Sequence, residues 1–358
     1  MLEITTEDLE ILRSEVKEAK RVGTLTEKQL KVIYNNKLFN MFVPKEFGGL
    51  GLHLIEALQV EEQLARIDGS LGWTVTMCSG ANMFVGYLES FMAKMIFQDS
   101  KVCFGGSAQI DGIATVSKDG YIINGMWDYI VGLPHCTVLT LNCHIEDKGK
   151  LLYKADGSPY FKSFFLFPKE VTIIEDWKSI GLRATASNSV KVNKFRVSEN
   201  RAFEIDSTNP VIKDQTYQFP FEQFSLLTLT ANHLGMQEHF MDELRKYFTG
   251  ELYNKYFEFK DEIFYQYEEK FLERRTDFYS IASDASKEIL LNGQLSSEMI
   301  VNIDKMCKEL VYKGRNSILK VVPYLGMAVM DYTTEMNQIV SDLLTASQFN
   351  LLLPENLE

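Results

Sequence analysis

Cysteines, histidines and one aromatic strand are the first places to look for chemistry in this chain. The cysteines are Cys78, Cys103, Cys136, Cys143 and Cys307. None forms a CxxC pair, and zinc sites usually draw their ligands in such close pairs. This spread predicts reduced, mostly buried thiols and no metal centre. His233 and His239 lie six apart on a helical stretch, so they point roughly 120° away from one another at 100° per residue. They do not make a metal pair. Trp127 and Tyr129 flank Asp128. Strict alternation would put both rings on one strand face, as a ligand wall or as packing between sheet and helix. Arg183, in GLRATAS, could meet an anion or an ordinary surface partner. Trp73, just after a helix cap, reads as core.

Composition bounds the elements that must position these groups. At 358 residues the chain is long for a single core, so two or three packed units are expected. Basic residues number 37 and acidic ones 49, a net charge of −12. A surface this acidic repels phosphate backbones and anionic lipid, so neither nucleic acid nor membrane is an expected partner. No apolar run approaches the ~20 residues of a membrane span. The N-terminal MLEITTEDLEILRSEVKEAK lacks an apolar signal core, which favours the cytoplasm.

Residues 1–99 read as a helical bundle. Thr5 with Asp8 and Thr26 with Gln29 are capping-box spellings. A helix is expected over 53–66, with Ser70 capping the next. Residues 100–203 change period: KVCFGGSAQI, GIATVSKDG, YIINGMWDYIV, CTVLTLNCHI, FKSFFLFP and SVKVNKFRV are six strand-like runs. They predict an antiparallel sandwich or barrel, with tight turns at KDG and at Asn124-Gly125. Residues 204–358 are helical again. Helices over 219–248, 253–291, 296–319 and 324–352 would make a four-helix bundle. The stripe Met299, Ile303, Met306, Leu310 marks one buried face there.

In that order, several stretches resemble the acyl-CoA dehydrogenase superfamily. VPKEFGGLGLHLIEALQVEEQLARIDGSLGW (Val43 to Trp73) is similar to its N-terminal signature, and DGYIINGMWDYIVG to its β-domain hairpin. IGLRATASNSVKVNKFRV resembles the loop-and-strand segment, and SDLLTASQF the late C-terminal helix. The spellings IDGSLGW, GLRATAS and DLLTASQF look most like the two-component flavin monooxygenase branch. That resemblance implies an N-terminal helical domain, a middle β domain and a C-terminal four-helix bundle. It implies FAD or FMN, supplied reduced by a separate reductase, and a small-molecule substrate. It also implies a homo-oligomer, dimer or tetramer, assembled through the bundles.

The same resemblance locates candidate residues. Gly105 and Gly106 would let backbone approach a planar ring, and Ser107 would offer a hydroxyl. Tyr129 would stand beside the ring. Val131 stands where the family has a hydroxyl residue, so only its backbone could serve. The dehydrogenase base, needed to take a weakly acidic α-proton, falls at Asn350, an amide. Glu222 is three residues, about 5 Å, from the alternative place at Ser225. Glu355 and Glu358 follow Pro354. The histidines of the monooxygenase branch fall at Asn82 and Phe349, neither of which is a base near pH 7. KYFTGELYNKYFEFK lacks the arginine that often reaches a neighbour's pyrophosphate. Two readings stay open: a flavin-dependent oxidoreductase, monooxygenase-like, or a family member that binds a partner without catalysis.

Overall fold

The computed structural model describes residues 4–249 and 257–354. Glu355, Glu358 and the middle of KYFTGELYNKYFEFK lie outside the described residues. The element order is helices, strands, helices.

The first helices are α1 (Thr6–Ser14), α2 (Val16–Val22), α3 (Glu27–Asn35), α4 (Leu54–Ile67), α5 (Gly69–Asn82) and α6 (Ser90–Ile96). At α3 the capping box is complete: Thr26 Oγ1 accepts from Gln29 N, and Gln29 Oε1 accepts from Thr26 N. At α1 only half of it forms, because the Asp8 carboxylate accepts from Asn36 instead. Asp68, not Ser70, caps α5, its Oδ1 accepting from Leu71 N at 2.8 Å. A carboxylate at an N-cap also meets the positive end of the helix dipole. Ser70 lies inside the helix and accepts from Ala184 N.

The strands are β1 (Phe104–Gly106), β2 (Gly112–Ser117), β3 (Gly120–Ile130), β4 (Val138–Asp147), β5 (Lys150–Leu151), β6 (Phe161–Leu166), β7 (Thr172–Ile174), β8 (Asn188–Ser198) and β9 (Ala202–Phe203). They form one mixed sheet, with the path β7-β8-β3-β2-β4-β6-β9. Most pairs are antiparallel, but β1 and β2 both run parallel to β4, along the same edge of it. The KDG turn joins β2 to β3, with Ser117 opposite Gly120. Asn124-Gly125 is not a turn: both residues lie within β3. Gly125 faces Gly112, and a Cβ there would sit 2.8 Å from the Trp127 ring.

The last helices are α7 (Gln215–Gln218), α8 (Phe221–Thr249), α9 (Phe257–Asn292), α10 (Ser297–Val321) and α11 (Glu335–Ala346). The expected fourth long helix over 324–352 is broken. Gly326 takes φ +58, and Asp331 Oδ1 ties down a turn by accepting from Thr333 N. Thr334 then caps the shorter α11 through Asn337 N. On α10 the buried face is Ile303, Cys307, Leu310, Val311 and Ile318, and Met299 and Met306 sit at its margin. One apolar core runs through all three segments.

Candidate functional site

The start of β1 and Val131, just past the end of β3, meet α5 at one junction. Asn82, at the end of α5, is fully buried there. Its Oδ1 accepts from Phe104 N at 2.7 Å, and its Nδ2 donates to Asn40 Oδ1 and Val102 O. All of its hydrogen bonds go to the protein, so Asn82 is a brace that docks β1 onto α5. It is not a group that reaches a ligand.

Gly105 lies beside it. A Cβ on Gly105 would stand 2.4 Å from Cys136 Sγ, and one on Gly106 would stand 2.7 Å from Thr140 O. Glycine is required at both places by the protein's own packing, and neither Cβ position opens onto a ring-sized cradle. Ser107 is half-buried, and its hydroxyl accepts from Gln109 N at 3.3 Å, a local turn contact. That bond leaves the hydroxyl proton available. Asn142 Nδ2 donates to the carbonyls of Ser107 and Ala108 and so fixes this segment.

Thr140, two residues earlier on the same face of β4, has a buried hydroxyl with no partner. A buried polar atom left unpaired costs about 1–3 kcal/mol, so this hydroxyl next to Gly106 is a second candidate donor. Thr140 and Asn142 were readable as a polar alternation within TVLTLNCHI, but the strand's overall apolarity concealed it.

The end of β3 departs from simple alternation. A register shift separates Trp127 from Ile130, and Tyr129 takes φ +61. The bulge flips Tyr129 out of the face it would otherwise share with Trp127. Trp127 is fully buried and donates from Nε1 to Asn142 O at 3.0 Å. Tyr129 is 62% exposed and meets the edge of Trp177, with ring centroids 6.0 Å apart. Only Tyr129 of the two is open to a ligand. Val131 is buried, and its carbonyl accepts an S–H hydrogen bond from Cys78, with Cys136 Sγ also within reach.

The C-terminal candidates stand apart. Glu222 is exposed in the first turn of α8, and Asn350 is exposed at the start of the short turn Asn350–Leu352. Among the described residues no hydrogen bond joins either one to β1 or β3. Phe349 packs its ring against Trp73 at 5.8 Å, so an aromatic pair fills the place where the resemblance expects a histidine. Arg183 is exposed.

Sequence reasoning missed a buried acidic pair. Asp68 and Asp342 line a narrow cleft with Gly69, Met236, His239, Gln338 and Ile339. Asp342 Oδ1 accepts from Leu182 N at 2.5 Å, and Asp68 Oδ2 accepts from Gln338 at 2.6 Å. Burial, and then the neighbouring Asp68, hold the Asp342 carboxyl well above the usual range. Asp68 is raised too, by burial, but less, because Leu71 N–H and His239 oppose it. Of the two, Asp342 is raised the more, so it is the later to lose its proton as pH rises. This pair anchors the GLRATAS loop to α5 and α11. It is 160 residues from Leu182 to Asp342 along the chain, a separation no spacing rule reaches.

This segment thus presents the half-buried Ser107 hydroxyl, the backbone of Gly106–Ser107 and, at the end of β3, the exposed Tyr129 beside the half-buried Trp177. Residues 7–91 match the profile described as "Acyl-CoA dehydrogenase, N-terminal domain". The solved HsaA monooxygenase of Mycobacterium tuberculosis superposes with a TM-score of 0.87 at 17% identity, over 98% of this chain and 92% of that one. The chain has the acyl-CoA dehydrogenase-like fold. XiaF from Streptomyces sp., solved with FADH2 and glycerol, shares this fold with a TM-score of 0.87 at 16% identity, covering 97% of this chain and 90% of that one. The oxygenase subunit HsaA of a flavin-dependent monooxygenase from Rhodococcus jostii (strain RHA1) is 25% identical over 260 residues, 68% of this chain. The matched stretch is 66% of that relative's length. Among the described residues no helix is long and apolar enough to cross a membrane.

Proposed function

We propose that this protein is the oxygenase component of a two-component flavin-dependent monooxygenase, acting in the cytoplasm on a small, flat substrate. Reduced FAD or FMN would come from a separate reductase. The observation that carries the proposal is the superposition at TM-score 0.87 over 98% of the chain. It agrees with the sequence likeness to an oxygenase subunit.

The reduced flavin, when bound, supplies the oxygen-activating chemistry. The chain's own residues bind and exclude water. Ser107 would present a hydroxyl, and Tyr129 with Trp177 an aromatic face. No carboxylate replaces the amide at Asn350, which argues against proton abstraction from an acyl thioester.

Titration with FAD, FMN and their reduced forms tests this reading. Binding of a reduced flavin with Kd below about 50 μM is expected, together with no bleaching of bound flavin by an anaerobic acyl-CoA panel. Absence of binding by every form would overturn the flavin assignment, and bleaching would overturn the monooxygenase assignment in favour of a dehydrogenase.

The proposal includes a homo-oligomer. Leu290, Leu291 and Val301 are exposed at one end of α9 and α10, at 70%, 80% and 61%, an unusual display unless another surface covers them. A dimer or tetramer is expected by light scattering at micromolar concentration, and a monomer there would remove this part.

A further inference from the structure

Cys78, Cys103 and Cys136 come from α5, from the residue before β1 and from the residue after the Leu133–His135 turn. They are far apart in sequence, yet their three sulfurs lie within 4.8 Å of one another. All three are buried and unoxidised. We propose that they form a structural zinc site, with the Val131 carbonyl as fourth ligand.

The donor set fits the ion. Zinc takes four tetrahedral ligands, with sulfur at about 2.3 Å, which sets the sulfur–sulfur edge at about 3.8 Å. The sulfurs need close by no more than about 1 Å to reach it. The Val131 oxygen lies 3.9 Å from Cys78 Sγ and 3.8 Å from Cys136 Sγ, near the length of a tetrahedral edge. In the metal-free form that carbonyl accepts from Cys78 Sγ, while Cys136 Sγ lies within reach of it and nearer to Gly132 O, at 3.3 Å. Zinc binding releases the three thiol protons to solvent, which would leave the buried carbonyl without donors. Coordination to the cation satisfies it again.

The backbone around the sulfurs is shaped to leave them room. A Cβ on Gly105 would lie 2.4 Å from Cys136 Sγ, and a Cβ on Gly132 would lie 3.0 Å from Cys78 Sγ. The ligands belong to both the helical and the β segments, so the ion would pin β1 and the end of β3 to α5. It would thereby fix the strand ends next to Ser107 without taking part in any reaction. This inference does not depend on the proposed activity.

The test is metal content. The full chain, expressed with added Zn2+ and purified reduced without chelator, should carry about one zinc per chain. Cys143→Ser and Cys307→Ser should keep it. Cys78→Ser and Cys136→Ser should each lower zinc content at least fivefold. Should those variants fail to fold, the parent alone decides. Expressed with Cd2+ in place of zinc, it should show ultraviolet thiolate-to-metal absorption scaled to three sulfurs. Zinc below about a tenth per chain with no cadmium band, or a disulfide among the three in place of metal, would overturn the site. Equal loss from Cys143→Ser and Cys136→Ser would overturn it as well.

Discussion

Replacing Gly235 by alanine should destabilise the protein by roughly 2 kcal/mol net, although alanine is the better helix former by about 1 kcal/mol. Gly235 is at the crossing of α8 with α4. A Cβ there would stand 2.1 Å from Glu62 O and 2.8 Å from the Ala65 Cβ. Gly72 of α5 presses on the same place from another side, where a Cβ would stand 2.5 Å from the Ala65 Cα. Three small residues thus bring three helix backbones together at Ala65. The atom met first is a backbone carbonyl, which cannot rotate away, so the crossing must open. Overpacking a tight core costs about 1–3 kcal/mol and sometimes more, which outweighs the propensity gain.

The neighbouring Glu62 raises the stakes. Its buried carboxylate accepts from Arg275 Nε and from Tyr279 OH, each at 2.5 Å. Moving α4 would pull this carboxylate away from α9. The control is Gly80→Ala in α5, where the nearest atom to a new Cβ is Phe224 Cε1 at 3.8 Å. That variant should gain about 0.5–1 kcal/mol. Urea unfolding with a common m-value checks both. Equal shifts for the two variants would mean that the close approach at Gly235 does not govern its stability.

These helix contacts also show what a sequence can and cannot convey. The order of helical and strand segments was legible because period 3.6 gives way to period 2 and back again. The Thr26–Gln29 box was legible because it acts over one helical turn. The bulge at Tyr129 was not, because it needs one extra residue to be accommodated against β8, and that depends on the partner strand. Nor was the break before α11. There the apolar spacing continues through Met327 and Met330, yet both side chains are exposed, and Gly326 and Asp331 turn the chain. Asn82 illustrates the same limit at the site. Its type is compatible with hydrogen bonding to a ligand, but only the packing of β1 on α5 shows that its bonds are already taken. The convergence of the three thiols depends on three separate elements, so no local spacing could announce it.

The buried pair Asp68–Asp342 should make stability depend on pH in a direction opposite to that of an ordinary ion-paired carboxylate. Asp342 holds its proton in the folded state at pH values where an unfolded aspartate, with a pKa of about 3.9, is ionised. A raised folded value contributes stability that is fully present below the unfolded pKa and is lost as pH rises through the folded one. The groups facing the pair are Lys20, Gln338 and His239, with Glu335 behind His239 at 3.1 Å and Arg183 acting on Lys20. Lys20 favours the charged form of Asp342, but burial and the Asp68 charge outweigh it.

Asp342→Asn keeps an oxygen to accept from Leu182 N and removes the titration. Its stability relative to the parent should therefore rise between pH 5 and pH 8, by about 1 kcal/mol or more for each unit of pKa displacement removed in that window. Asp342→Leu leaves the Leu182 N–H without its acceptor, while Gln338 keeps Asp68, and it should be about 2–3 kcal/mol less stable than Asp342→Asn at both pH values. Gly69 and Gly181 leave it no room to relax: a Cβ on either would stand 2.8 Å from the Asp342 side chain or 2.0 Å from Ser341 O. Urea midpoints for the three proteins at the two pH values decide the matter. A parent and an Asn variant that track one another across the range would show that Asp342 does not carry the proton. A Leu variant as stable as the Asn one would show that the bond to Leu182 does not hold the loop. The proposal also links fold to site, since the loop that Asp342 anchors, from Leu182 to Ser187, also packs on α5 through Ala184 N and Ser70. Loosening it should disturb the position of α5 and, through Asn82, that of β1.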